Sequence, residues 1–363
     1  MGGRRRLERW ARVSVATAAC CLASLAVGPS RALIAPGDWR PVGQVGGPTP
    51  AVCVQGTLAF VGIGPRLVVL DISTPSAMRE VGATAPFSDF VQDVAVSGNR
   101  AYVVAGADGL RVLDISDLAR PTEIGRWNTP GFANGIAVTG ATAFIADGPF
   151  GLQVVDISNP AHPSPVGSAY SMNYAFKVAV AGRYAYLAAA GAGLLIVDVT
   201  NPANPREVGA VDTPGYAYGV AATNDWVYVA DGWERLQILD AREPAHVVAA
   251  GSYKTPGWAF GVTVSGSRAY VADGFKGLRV VDVANASAPV EVGQYDVPEG
   301  HAGAVALSGN GAFIADSNNG VHAVRRFLLT RTRTRSSIGD RLNFSVFLGF
   351  RPPPMKTCGH FVA

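Results

Sequence analysis

A chain of 363 residues with 43 Gly, 24 Pro, 48% hydrophobic and only 16% charged side chains is too apolar for disorder and too glycine-rich for a helical bundle, which leaves β structure. Its net charge of +3 is uneven: residues 1–32 carry +5 and residues 325–363 carry +7, leaving the middle at −9. An acidic body with basic ends lacks the basic face that neutralising phosphates requires, so nucleic acid is set aside as a partner.

The chain begins as an export signal would. Arg4, Arg5, Arg6, Arg9 and Arg12 form a positive leader, residues 13–27 an uncharged apolar run, and Ser30-Arg31-Ala32 a small-residue cleavage site. That run has 15 residues, short of the roughly 20 a membrane span needs, so residues 1–32 are read as a cleaved signal peptide. The expected location is secreted, periplasmic or cell-surface. Thr17-Ala18-Ala19-Cys20 loosely resembles a lipobox without its usual first leucine, which makes lipid anchoring through Cys20 the alternative to release. Cys20 and Cys21 fall inside the signal, leaving Cys53 and Cys358. These two either bridge the tail to the first repeat in an oxidising compartment or stay as free thiols.

An internal repeat organises the body of the chain. Leu67-Val-Val-Leu-Asp71, Leu110-Arg-Val-Leu-Asp114, Leu152-Gln-Val-Val-Asp156, Leu194-Leu-Ile-Val-Asp198, Leu236-Gln-Ile-Leu-Asp240 and Leu278-Arg-Val-Val-Asp282 recur every 42 or 43 residues, and Val321-His-Ala-Val-Arg325 comes next without its Asp. Upstream of each lies a segment like Val262-Thr-Val-Ser-Gly-Ser-Arg-Ala-Tyr-Val271, and downstream a glycine, as in Glu80-Val-Gly82, Glu123-Ile-Gly125 and Glu207-Val-Gly209. Within one unit, alternating β-branched and aromatic residues punctuated by Gly, Pro, Asn or Asp predict four short strands, here 262–264, 269–272, 278–283 and 290–295. Such a unit of about 42 residues matches a β-propeller blade.

One blade alone cannot hold itself together. Its few large apolar side chains offer about 1.5–3 kcal/mol each, whereas ordering each backbone residue costs about 1–2 kcal/mol. Blades must bury each other's faces, and a ring leaves no open ends. Gly43 in Pro41-Val-Gly-Gln-Val45 sits 39 residues before Gly82, near the spacing of a fourth strand, yet no blade precedes it; after residue 325 no fourth strand follows. The N-terminal segment is therefore expected to complete the last blade. The fold class is all-β: a seven-bladed propeller over 33–325 with four-stranded blades, flanked by the signal and a basic tail over 326–363.

The repeat resembles the LVIVD-repeat family, nearly spelled out by Leu194-Leu-Ile-Val-Asp198, and the resemblance covers residues 41–325. It implies a propeller in exported, often surface-associated proteins, and no established catalytic residues. The departures are Arg325 in place of the repeat Asp, Ala189 where other blades have Asp, and the tail.

In a propeller, the loops that join blades and the turns between second and third strands share one face, called here the top. The inter-blade loops carry a column of rings, Phe90, Phe132, Tyr174, Tyr216, Trp258 and His301, and two positions later stand Gln92, Asn134, Phe176, Tyr218 and Phe260. Turned into the channel mouth, these would stack on a sugar, a peptide aromatic or a cation; turned between blades, they fill gaps. Asp147, Asp231, Asp273 and Asp316 reach the same face, where gathered carboxylates could hold Ca²⁺, although an Asp-Gly turn ordinarily bonds nearby backbone amides. The Asp ending each third strand is expected to cap the following loop on the bottom face.

Catalytic patterns are sparse: no Gly-x-Ser-x-Gly, no phosphate-cradling loop and no His-Glu-x-x-His. His301 with Asp316, Lys177 and Asp93 is the one acid–base set that can be assembled. The reading is thus an exported, non-catalytic, monomeric binding or scaffold module whose top face recognises carbohydrate or protein, without a membrane span in the mature chain. The alternative is a hydrolase or lyase with an acidic site at the channel mouth. The tail, with strand-like alternation around residues 325–335 and 342–350 and then Pro352-Pro-Pro354, could pack on the acidic body, contact an anionic surface or stay disordered.

Overall fold

The computed structural model describes residues 39–326 apart from Met172, Glu234 and Asn310. The expected signal peptide, its alternative at Cys20 and nearly all of the basic tail lie outside that range. Seven four-stranded antiparallel sheets succeed one another, and no α-helix occurs among the described residues. The sixth blade is representative: its strands, Gly261–Ser265, Arg268–Ala272, Leu278–Asp282 and Val290–Tyr295, fall within a residue or two of the sequence reading. Its first two strands are joined by a two-residue hairpin in which Gly266 takes φ +57°, a left-handed conformation that glycine adopts freely. Gly56, Gly98, Gly140, Gly182 and Gly309 hold the same place in other blades.

First strands of successive blades touch one another around the ring, and Ala51–Gln55 of the first blade touches Ala302–Ser308 of the seventh. Seven apolar clusters fill the spaces between sheets, each drawn from two neighbouring blades. The one that closes the circle joins Ala59, Val61, Val68 and Leu70 to Phe313, Val321 and Ala323. Burial is thus an inter-blade property, as the energetics of a lone unit require.

Ring closure agrees with the sequence reading. Trp39–Val45 pairs antiparallel with Gly320–Arg326 as the outer strand of the seventh sheet. Its register shifts between Pro41 and Gly43, and the same irregularity recurs in the fourth strands of the first six blades, where Gly82, Gly125 or their equivalents come after a skipped residue. The glycine has a steric cause. A Cβ on Gly125 would lie 2.1 Å from the Pro160 carbonyl oxygen of the next blade, and one on Gly43 would lie 1.8 Å from that of Pro75. Each blade's outer strand therefore lets the bottom loop of the next approach at backbone distance.

That bottom loop is capped as expected. Asp71, Asp114, Asp156, Asp198, Asp240 and Asp282 each accept a hydrogen bond from the backbone amide two residues on, at 2.8–3.1 Å. These amide bonds hold the carboxyls of Asp71, Asp114, Asp156 and Asp198 below the usual range, and Arg242 beside Asp240 takes that group down to about 2. Cys53, buried in the first strand of the first blade, is disulfide-bonded, so the free-thiol alternative does not hold for it. The three other cysteines lie outside the described residues.

Candidate functional site

The top face is assembled by pairing each turn between second and third strands with the inter-blade loop beyond it. Gly106 bridges Ala133, Gly148 bridges Ala175, Ala190 bridges Ala217 and Gly274 bridges Ala302. The turn residue sits in the left-handed region, at φ +51° to +55° for the three glycines. The fourth blade lacks glycine there and forces Ala190 to φ +49°. In the fifth blade the bridge widens into a two-stranded ribbon, Gly232–Trp233 against Trp258–Ala259.

Buried carboxylates staple these pairs. The Oδ2 atoms of Asp147, Asp231 and Asp273 accept the amides of Gly131, Gly215 and Gly257 at 2.9 Å, and Asp316 Oδ1 accepts that of His301 at 2.8 Å. All four residues are fully buried. Burial pushes Asp147 and Asp231 upward and Asp273 up to about 6. Burial acts on Asp316 in the same sense, but the amides of His301 and Asn318 and the His322 ring, 3.0 Å away, outweigh it and hold the group low. The Ca²⁺ reading of these four residues is therefore corrected. Each carboxylate serves its own blade's loop rather than a shared mouth, and no three His, Cys, Asp or Glu gather to hold a metal among the described residues. The expected bonding to amides is present, but it reaches 15 or 16 residues back along the chain rather than staying within the turn.

The predicted rings divide into two groups. Tyr174, Phe176, Tyr218, Phe260 and His301 run edge to edge across successive blades, with ring centroids 4.6–5.1 Å apart. Tyr216 joins at Tyr218, and Trp258 at Phe260. Phe90 and Phe132 instead lie over the turn glycines Gly64 and Gly106, outside this run. Two rings that the sequence reading misses extend it. Trp233 packs on Trp258 with centroids 5.0 Å apart, and Phe275 stands edge-on to His301 at 4.8 Å. Their signal in the sequence is an aromatic residue after Asp-Gly, 42 residues apart. The run therefore links nine rings over one sector of the top face. Burial between Phe260 and Phe275 lowers the His301 pKa, so the ring is neutral.

The remaining polar candidates are committed elsewhere. Gln92 and Asn134 donate their side-chain amides to the carbonyls of Phe90 and Phe132. Lys177 pairs with Asp93 at 2.7 Å, joining the innermost strands of the fourth and second blades, and Asp93 also accepts the amide of Ile136. The acid–base set thus separates into Lys177–Asp93 on one side and Asp316 with His322 and the His301 amide on the other. Two cavities, of about 250 and 530 Å³, lie on the bottom face beside Asp198 and Arg206 and beside Asp240 and Arg242.

The sequence matches the LVIVD repeat over residues 46–85, 90–129, 130–170, 173–213, 214–255, 256–297 and 299–324, one segment for each blade. The chain belongs to the LVIVD-repeat family. No curated protein matches it. Among solved structures, this LVIVD-repeat chain is similar to a chain of the mitotic checkpoint complex, with TM-score 0.66 and 12% identity over 86% of this chain and 99% of the other. It is also similar to the Pan2 WD40 domain of Neurospora crassa, with TM-score 0.62 and 13% identity over 80% and 96%. A third likeness is to the computationally designed Ika8 protein, with TM-score 0.60 and 8% identity over 78% and 98%. At such identities these likenesses speak for the fold alone.

Proposed function

We propose that this LVIVD-repeat propeller is an exported binding module that works without catalysis and recognises a carbohydrate or protein through its top face. One observation carries the reading. Of nine exposed large hydrophobic side chains among the described residues, seven, namely Phe90, Phe150, Tyr170, Tyr216, Trp233, Trp258 and Phe275, stand on the loops and turns of that face. Contiguous exposed apolar surface marks interaction sites, and Trp and Tyr supply most of the energy where such surfaces bind. Ring–ring contacts beneath the exposed rings fix them in advance, which reduces the entropy lost on binding. Export rests on residues 1–32, with lipid anchoring through Cys20 as the membrane-attached form; no helix of the described residues is long and apolar enough to cross a membrane.

The test is a screen of the full chain against a glycan panel and a surface-protein panel, repeated with Trp258→Ala and Tyr216→Ala. Retention of a ligand by the parent, and its loss from both variants with unchanged thermal melting, is the expected result. Retention unchanged in both variants would reject the face.

A further inference from the structure

The cations of this propeller are segregated. On the bottom face, Arg79, Arg100, Arg183 and Arg242 pair with the capping carboxylates Asp71, Asp114, Asp198 and Asp240. All three lysines among the described residues, Lys177, Lys254 and Lys276, stand at the top. Around the Trp233–Trp258 pair, Arg235, Lys254 and Lys276 are exposed, and neither Arg235 nor Lys276 makes an ion pair among the described residues. The Lys276 stem runs beside the Trp258 loop, its Cγ 2.9 Å from where a Cβ on Gly257 would lie. That loop, residues 254–260, holds one base and no acid. In a body of charge −9, a basic rim around the most exposed tryptophan, 63% for Trp233, is a local reversal of sign.

The rings form an open corner and not a pocket. Trp233 and Trp258 meet at 61°, Trp258 lies nearly parallel to Phe260 at 26°, and the described cavities are on the opposite face. A sugar ring presents a flat C–H face that stacks on an exposed indole without needing a concave seat. A carboxylate at the sugar's edge then meets a Lys or Arg head whose stem lies along the aromatic surface.

From this juxtaposition we propose that the fifth- and sixth-blade sector binds a polyuronate, a polysaccharide strand bearing one carboxylate per sugar, with Trp233 and Trp258 stacking on sugar faces and Arg235 and Lys276 pairing with carboxylates. The inference rests on the top-face reading and narrows it to one ligand chemistry. Pairs at an exposed rim are screened by salt, so retention depends on ionic strength.

The experiment measures binding of the full chain to sodium polygalacturonate by affinity electrophoresis and tryptophan fluorescence, beside the same polymer fully methyl-esterified. Esterification removes the charge and keeps the sugar faces. Expected are binding at least 10-fold tighter to the free acid, loss of at least 10-fold in Trp233→Ala and Trp258→Ala, loss of at least 5-fold in Lys276→Glu and Arg235→Glu, and weakening from 50 to 300 mM NaCl, with melting temperatures unchanged in every variant. Equal binding of ester and acid that still depends on Trp258 overturns the polyuronate assignment and leaves the top-face reading standing. Binding that survives both tryptophan changes overturns both. Absence of binding to either polymer overturns the polyuronate assignment, and the protein panel then tests the face.

Discussion

Removing the indole that locks the ring shut is the most direct perturbation of this architecture. Trp39 is 6% exposed and meets Tyr270 of the sixth blade edge-on, ring centroids 5.8 Å apart at 90°. It belongs to the cluster that joins the sixth and seventh blades, with Tyr270, Leu278, Val280, Ile314 and Val324. Truncating a buried Trp to Ala costs about 3–5 kcal/mol, because transfer and cavity losses add. About 0.5–1.5 kcal/mol of that belongs to the edge-to-face pair. Against a total stability of about 5–15 kcal/mol this is a large fraction. With an m-value of about 3 kcal/mol per M, the urea midpoint of the full chain carrying Trp39→Ala falls by roughly 1–1.5 M. A double-mutant cycle with Tyr270→Ala returns a coupling of about 0.5–1.5 kcal/mol. Trp226→Ala is the control: that ring is half-buried in the fifth blade under Arg242, 5.8 Å away, and losing it costs about 1 kcal/mol or less. A midpoint within about 0.3 M of the parent for Trp39→Ala, or strict additivity with Tyr270→Ala, would show that the first strand is not seated in the last blade.

The outer-strand glycines offer a steric check: Gly125→Ala, whose Cβ would lie 2.1 Å from the Pro160 oxygen, is expected to cost about 1–3 kcal/mol and Gly209→Ala, at 3.0 Å from the Pro244 oxygen, distinctly less, as read from urea midpoints. Ala190→Gly relieves a left-handed alanine and should raise stability by about 0.5–1 kcal/mol; a fall would mean that the methyl group, not the backbone angle, matters there. Asp273, raised to about 6, binds its proton more tightly in the folded state than in the unfolded one. Its contribution is therefore fully present below about pH 4 and lost as the pH rises through about 6. Because a tenfold change in proton affinity is worth about 1.4 kcal/mol, Asp273→Asn should gain about 3 kcal/mol on the parent between pH 4 and pH 7, and a pH-independent difference in urea midpoints would contradict the buried carboxylate.

Whatever repeats is legible in the sequence. The 42-residue period, the four strands, the seventh blade completed by Pro41-Val-Gly43 and the loop-capping Asp residues each derive from one unit read seven times. The features that escape it depend on neighbours that only the ring creates. Asp93 and Lys177 belong to blades two apart, and the channel brings them to 2.7 Å. Asp147 can be read from its turn as a local cap, yet its partner is Gly131, because the loop between blades folds back over the turn. Trp233 and Phe275 look like ordinary turn residues in the sequence; once Gly232–Trp233 pairs with Trp258–Ala259 their side chains stand beside the ring column. The column itself reads correctly to the top face, but spacing cannot say that it breaks, with Phe90 and Phe132 resting on glycines while the rings from Tyr174 onward touch one another.

The two faces solve different problems, and their repeats differ accordingly. At the bottom, each blade must present a loop narrow enough to approach its neighbour's glycine at backbone distance, so the same Asp returns at the end of the third strand in six blades, bonded to the same amide. At the top, the joint between turn and loop is made by backbone atoms at Gly106, Gly148, Ala190 and Gly274, which leaves the outward side chains unconstrained by the joint. There the chain places alanine in the fourth blade, tryptophan in the fifth and phenylalanine with lysine in the sixth. A ring of nearly equal blades thus acquires one aromatic and basic sector, and a ligand seated on the fifth and sixth blades meets a surface that no rotation of the ring repeats.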